Sequence, residues 1–537
     1  MAIASPGPRV QPCAWSLAVL LLACPGLASP RRAADQPGAK ATASSRVAAA
    51  VVTVPVQRRL TWMRLSPSRP RVAASGHLQF SVIVQPPQNP AVEWQVNGVP
   101  GGDARLGTIS ASGLYLAPPS PVSVLVKAVL KANPRVSATA RVGVLAPHRI
   151  GVRPGATGFA EFFDRTTGDA FTPRGNNYVR LAWATDFQGN AAYAQTALDV
   201  GFYDAARAEA ALASMEAYGY NAVRVLLNDC CTTSIGNPAG GLSSRYVANL
   251  VDFLRRARSH GVYAILTAQM PPWLGGYTDH YPVCYGLFAY DNLFNLCSGG
   301  VAANVAFFHD VARALVDQEA PLDAVLAYEL RGEYFYNFDQ APLSWTSGLV
   351  TTANGLTYDM ASASSRQAMM DDGLVYFTDQ GRAAILDVDP TALVGVGFFW
   401  PQDPNPSRIG DPRVIEVYPA MTNSTADFVD IHGYAIAGEI SVQQMLENYK
   451  LAGHQEAKPV LMGEFGAFKF QYPSITDAAA IIEDWQVETC ASELKGWLLW
   501  TWDTEEPEQV PALWSAMSGD GSINRALAPA FRPDPCR

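Results

Sequence analysis

Two glutamates stand at the ends of apolar stretches that lie far apart in the chain. Glu333 closes the segment Ala327-Tyr328-Glu329-Leu330-Arg331-Gly332-Glu333, and Tyr334-Phe335-Tyr336 follows it. Glu464 lies in Pro459-Val460-Leu461-Met462-Gly463-Glu464-Phe465-Gly466. Each run reads as a buried parallel strand ending on a carboxylate. Two such carboxylates suit general acid/base and nucleophilic chemistry at an acetal carbon, where an acid protonates the departing oxygen and a carboxylate attacks. Glu333 is the candidate acid/base, its pKa raised by burial and by the neighbouring negative charge. Glu464 is the candidate nucleophile, held ionised by donors such as Arg224 and the Tyr434 hydroxyl. A separation of about 5–5.5 Å would give retention of configuration.

The elements that must carry these groups alternate strand and helix from about residue 160. Eight near-continuous apolar runs, at 175–181, 221–227, 262–268, 324–330, 393–399, 428–434, 459–465 and 496–502, read as strands covered on both faces. Between them, Val247, Leu250, Val251 and Leu254 fall at helical spacing after Ser243 and before Gly261. Val442, Met445, Leu446 and Tyr449 repeat that pattern between Ser441 and Gly453. Eight units predict an α/β fold, a (β/α)8 TIM barrel over 160–537, with a doubly wound sheet as the rival. Catalytic groups of such a barrel gather at the carboxyl ends of the strands. Glu333 is expected to end the fourth strand and Glu464 the seventh. Side chains two apart share a strand face, so His432 and Tyr434 would point into the mouth together, as would Trp500 and Trp502. Trp500 would be the platform under the cleaved sugar. Glu329 and Arg331 have the parity of Glu333 and are expected to form a charge network with Arg224. Trp273 and Tyr277 after the third strand, Trp400 after the fifth, and Asn176 and Asn177 on the first are candidates to extend the cleft.

The segment Glu329-Leu330-Arg331-Gly332-Glu333 resembles the Glu-Leu-x-Asn-Glu acid/base segment of clan A glycoside hydrolases, family 5 in particular. Gly463-Glu464-Phe465-Gly466 is similar to that family's nucleophile segment, Asn221-Ala222-Val223-Arg224-Val225 to its second-strand arginine motif, and His432-Gly433-Tyr434 to its His-x-Tyr. Gly496-Trp497-Leu498-Leu499-Trp500-Thr501-Trp502 resembles its last strand. The resemblance spans the barrel in the expected order. It implies a retaining β-glycosidase of the cellulase/mannanase type that needs no metal or cofactor. Its catalytic residues would be Glu333 and Glu464, with Arg224, His432, Tyr434, Trp500 and Trp502 at the substrate. The family carries Asn where this chain has Gly332, and that Asn binds the sugar's second hydroxyl. Here Arg331, Asn177 or Gln269 would supply the donor, or the substrate would differ at that carbon, or the barrel would be weakly active. The alternatives in other classes are a catalytically silent barrel that binds glycans or a cell-surface partner, and a transglycosylase using the same residues.

The remainder of the chain sets the context. It has 537 residues, 49% hydrophobic and 16% charged, which excludes global disorder. A net charge of −9 without basic clusters argues against nucleic acid as a partner. An oligo- or polysaccharide substrate and a monomer are expected. Residues 1–28 read as a signal peptide, its apolar core 14–23 too short to span a bilayer, so a secreted or periplasmic location follows. Cys24 could instead carry a lipid, though Pro25 disfavours that. Residues 29–51, rich in Ala, Ser, Pro and Arg, read as a disordered linker. Residues 52–147 alternate with period two, as in Leu78-Phe80-Val82-Val84, between turn signals such as Asn97-Gly98, and predict a β-sandwich. Trp94-Gln95-Val96-Asn97-Gly98, Gly107-Thr108-Ile109-Ser110 and Gly113-Leu114-Tyr115 resemble bacterial immunoglobulin-like modules, which implies a spacer. Of the eight cysteines, Cys284 and Cys297 could close a short loop and Cys490 and Cys536 could tie down the tail. Cys230-Cys231 is either a vicinal bridge or two thiols. None has metal-site spacing, so no metal is expected.

Overall fold

The eight apolar runs become strands because a barrel covers both of their faces, one with helices and one with the barrel's own filling. The computed structural model describes residues 62–85, 90–399, 413–434, 441–502 and 513–536. The signal segment, Cys24, the linker and residue 400 lie outside the described residues. The strands are β1 (Arg174–Tyr178), β2 (Ala222–Leu226), β3 (Tyr263–Thr267), β4 (Val325–Glu329), β5 (Val394–Phe398), β6 (Phe428–His432), β7 (Val460–Phe465) and β8 (Trp497–Trp502). They pair in parallel in chain order and close β8 onto β1, so the barrel is right and the doubly wound alternative is not.

Helices cover the outside. Ser244–Ser259 starts where Ser243 accepts a hydrogen bond from the Tyr246 amide, and it buries Val247, Leu250, Val251 and Leu254 against the strands. Gly261, at φ 65°, lets the chain turn back into β3. Val442–Asn448 is likewise capped by Ser441.

The amino-terminal end of the barrel has a floor that the periodicity does not reveal. A three-stranded sheet, Ile150–Pro154, Ala160–Asp164 and Ala170–Phe171, lies across it. Ile150 and Phe162 join Ala222, Ile265, Leu326, Leu393, Phe428, Leu461 and Leu498 in one apolar cluster. Those seven come from seven different barrel strands or their starts, so the floor sheet plugs the barrel and leaves the other end for chemistry. A hairpin, Leu181–Thr185 with Ala191–Gln195, extends the chain after β1.

The N-terminal module is all-β. Its five-stranded and four-stranded sheets share a core that includes Trp94, Val96, Tyr115, Val126 and Val142. Disulfides join Cys284 to Cys297 and Cys490 to Cys536. Cys230 and Cys231 are buried thiols with their sulfurs 2.9 Å apart. No helix among the described residues is long and apolar enough to cross a membrane.

Phe162 is fully buried and packs edge-on to Phe428 at 5.7 Å between ring centroids. Phe162→Ala should therefore destabilise the barrel by about 3–5 kcal/mol, read as a lower denaturant midpoint. An unchanged midpoint would mean that the floor does not support the barrel.

Candidate active site

Strands β2, β4, β6 and β7 bring their charged side chains to one place inside the barrel, and Arg224 is its hub. Its Nε donates to Glu329 at 2.7 Å, and its Nη1 donates to Glu464 at 2.5 Å and to the Asn177 side-chain oxygen at 3.0 Å. Its Nη2 makes long contacts, 3.5 Å each, to the Thr267 hydroxyl and the Gly332 carbonyl. All five guanidinium hydrogens thus face acceptors. Arg224, Glu329 and Glu464 have no exposed surface.

The second oxygen of Glu464 accepts a hydrogen bond from the Tyr434 hydroxyl at 2.9 Å. His432 Nδ1 lies 3.1 Å from Glu333 Oε1 and 3.6 Å from Glu464 Oε2. One oxygen of Glu333, one of Glu464 and a ring nitrogen of His432 all lie within 4.8 Å of one another. The two glutamates therefore meet in one buried cluster, with an imidazole beside both.

Neighbours and burial set the charges. Burial pushes Glu464 above the ordinary carboxylate range, and the positive His432 and Arg224 only partly pull it back. Glu329 is raised for the same first reason, against the pull of Arg224. Burial opposes a charged His432, yet Glu464, Asp430 and Glu333 together hold it up to about 10. Burial also disfavours a charged Arg224, but Glu329 and Glu464 more than offset it.

Glycosyl hydrolase family 5, under the description Cellulase, matches residues 185–506. The chain belongs to glycosyl hydrolase family 5. The match covers more than half of the sequence, seven of the eight barrel strands and both glutamates, and the protein is a glycoside hydrolase. Among solved structures it is similar to the endo-1,4-beta-mannanase of Rhizomucor miehei, at 14% identity over 70% of this chain and 98% of that one, with a TM-score of 0.49. It is also similar to the beta-mannanase of the blue mussel Mytilus edulis, at 15% identity over 71% and 97%, TM-score 0.42. A third is the exo-beta-1,4-mannosidase from Opitutaceae bacterium strain TAV5, at 16% identity over 66% and 56%, TM-score 0.42. No curated protein matches the sequence.

Within this family 5 barrel, several expected positions need correction. β4 ends at Glu329, so Glu333 lies four residues past the strand. The backbone between them still follows its neighbours, with Gly332 N donating to Ala268 O at 2.9 Å and Tyr334 N to Gly397 O at 2.8 Å. Two-residue alternation does not extend through that segment. Arg331 turns away from Arg224, to Asn295 at 2.6 Å and Asp291 at 3.1 Å. Glu329 does join Arg224, as expected.

The three donors expected to replace the missing asparagine are committed elsewhere. Arg331 has just been placed. Asn177 is fully buried and donates to the Gly463 carbonyl at 2.8 Å and the Leu499 carbonyl at 3.3 Å, spanning the barrel wall. Gln269 accepts from the Glu333 amide at 3.0 Å and donates to the Glu333 carbonyl at 3.1 Å. Asn177 and Gln269 therefore hold the wall and Glu333 in place instead of facing a sugar. The space beside Gly332 is occupied by Arg224 itself: a Cβ there would lie 2.9 Å from Nη2.

Trp500 is nearly buried and belongs to an apolar cluster with Val179, Leu181 and Tyr193, against which Tyr434 packs. Trp502 is 1% exposed and packs against Tyr218 and Tyr220, at 6.3 and 6.4 Å between centroids, so it belongs to the core and not to the mouth. The ladder of β8 with β1 jumps from Leu499 to Trp502 between Asn176 and Tyr178, which ends the regular alternation there. Tyr277 is buried and donates to Asp310, whereas Trp273 is partly exposed and stacks on Phe187 at 5.2 Å.

Asp430 was missed. It is fully buried, 3.6 Å from Arg224 Nε and 3.7 Å from His432 Nε2. The available signal was a lone acid in the apolar run Phe428-Val429-Asp430-Ile431-His432, with the parity of His432.

Gly332→Asn should push the guanidinium off Glu464 instead of filling an empty subsite. The expected result is a loss of kcat of roughly tenfold or more together with about 1–3 kcal/mol of stability. Wild-type values for both would contradict the placement of Arg224.

Proposed function

We propose that this family 5 hydrolase is an exported retaining β-glycosidase, cleaving O-glycosidic bonds in a β-linked glycan by double displacement. Glu333 is its acid/base and Glu464 its nucleophile. The supporting observation is the approach of the two carboxylates to within 4.8 Å. Inverting enzymes keep their carboxyl groups about 6.5–9.5 Å apart to admit a water, and retaining enzymes about 5–5.5 Å.

In the first step Glu464 attacks the anomeric carbon as Glu333 gives its proton to the departing oxygen. A glycosyl ester forms on Glu464 and the glycosidic C–O bond breaks. In the second step Glu333 takes a proton from water, whose oxygen displaces Glu464 from the same carbon. A sugar hydroxyl in place of water gives transglycosylation with the same residues. Arg224 and Tyr434 each hold one oxygen of Glu464 and so orient the nucleophile. Trp500 is the candidate stacking face. Two disulfides suit an exported chain, and the all-β module fits an immunoglobulin-like spacer.

Glu333 keeps 5% of its surface exposed and Glu464 none. Release of no reducing sugar from a broad panel of glycans and aryl glycosides would contradict the proposal.

Glu464→Ala should abolish turnover, and azide should restore cleavage of an activated glycoside with inverted configuration. Hydrolysis at the wild-type rate would rule out the nucleophile. Because Glu464 is raised above the usual carboxylate range, it becomes protonated, and activity falls, as pH drops through that raised value. The acid limb of kcat/KM should therefore lie well above pH 4.5, the ordinary value for this carboxylate. Full activity below that pH would contradict the assignment.

A further inference from the structure

Asp430 presents a problem that the catalytic pair does not solve. Among the described residues neither of its buried carboxylate oxygens has a hydrogen-bond partner, and a buried polar group in that state is costly unless something compensates it. The fold makes deliberate room for it. Gly463, on the neighbouring strand, carries no Cβ where one would collide with both Asp430 oxygens. Five ionisable groups, on four strands and the segment after β4, face this carboxylate or the imidazole above it: Arg224 on β2, Glu329 on β4, Glu333 after β4, His432 on β6 and Glu464 on β7. Arg224 Nε is 3.6 Å away, but its single hydrogen already goes to Glu329 at 2.7 Å. Among the described residues the other side-chain nitrogen within 4 Å of Asp430 is His432 Nε2, at 3.7 Å. Asp430 comes two residues before His432 on the same strand, so it sits deeper in the barrel on the same face.

We propose that Asp430 is a positioning residue for proton transfer. Its carboxylate keeps Nε2 of His432 protonated, so that Nδ1 and Glu333 Oε1 hold one further proton between them for the departing sugar oxygen. The inference rests on Glu333 being the acid/base. When that proton is on Oε1, the Glu333 O–H bond breaks as the new O–H bond forms on the leaving group. Glu333 is then a carboxylate and His432 a neutral ring with hydrogen on Nε2. The water that opens the glycosyl ester returns a proton to the same pair. With the proton on Nδ1 instead, the imidazolium lies between carboxylates on both sides, which agrees with the elevated pKa of His432.

The test uses the full-length protein and Asp430→Asn, which keeps shape and removes charge. Losing a nearby negative charge lowers the pKa of every group that felt it. Both limbs of the kcat/KM profile should move to lower pH, the basic limb by roughly one unit or more. At the wild-type optimum the rate should fall roughly tenfold. A variant that loses rate with both limbs unmoved would show a packing role only and overturn the proposal. Should Asp430→Asn fail to fold, ¹⁵N spectra of selectively labelled histidines in the unaltered protein decide. Nε2 of His432 should be protonated at every pH where the enzyme is active, and a bare Nε2 with hydrogen on Nδ1 overturns the proposal. Glu333→Ala and Glu464→Ala are assayed alongside. If they keep wild-type activity the acid/base assignment fails, whereas if they are inactive and the Asp430→Asn profile is unshifted, only the role of Asp430 fails.

Discussion

The interior of this barrel depends on the buried guanidinium of Arg224. Glu329, Asp430 and Glu464 are carboxylates without exposed surface, and Glu333 is nearly buried beside them. An isolated ionised carboxylate in such a place would take up a proton instead of paying its desolvation cost. Arg224 lies against three of the four, at 2.7 Å from Glu329, 2.5 Å from Glu464 and 3.6 Å from Asp430. His432 supplies the second positive charge, between Glu333 and Glu464. A buried pair of this kind is weak evidence for stability, but removing one partner strands the others. The same contacts that make the cluster tolerable also fix the direction of the nucleophile.

Meeting that constraint requires register and small residues. Arg224, Glu329, Asp430 and Glu464 come from β2, β4, β6 and β7, so only a closed barrel brings them together. Two strand glycines make the space. A Cβ on Gly463 would strike the Asp430 carboxylate, and one on Gly397 would strike Glu329 Oε1 and the Gly332 carbonyl. A glycine inside a buried strand is otherwise a loss of packing; here each marks where a neighbouring strand's carboxylate approaches the backbone. The apolar floor built on Ile150 and Phe162 confines all this charge to the carboxyl end of the strands.

The eight strands were legible because runs covered on both faces are apolar throughout, and Ser243 and Ser441 marked helix starts through ordinary capping chemistry. Glu333 and Glu464 were legible as acids closing apolar runs, and Arg224, His432 and Tyr434 through motifs that resemble the family's. What was not legible depended on where regular alternation stops. Parity puts Arg331 beside Arg224 and Trp502 in the mouth, but β4 ends at Glu329 and the β8 ladder shifts beside Asn176, so both side chains face elsewhere. Asn177 and Gln269 have the right polarity to hold a sugar, and only three-dimensional contacts reveal that their amides are already used. The floor sheet escaped because its strands are short and lie before the first barrel strand. Asp430 escaped because an acid in an apolar run reads as an interruption until its partners on other strands are in view.

Double displacement needs one carboxylate close enough to attack the anomeric centre while the other, beside it, protonates the departing oxygen. The most direct measurement is the configuration of the first-formed product, followed by ¹H NMR as the wild-type enzyme cleaves an aryl β-glycoside before mutarotation sets in. The separation of Glu333 and Glu464 predicts the β-anomer. The α-anomer as first product would mean that a water, and not Glu464, attacks the sugar, and would contradict the account.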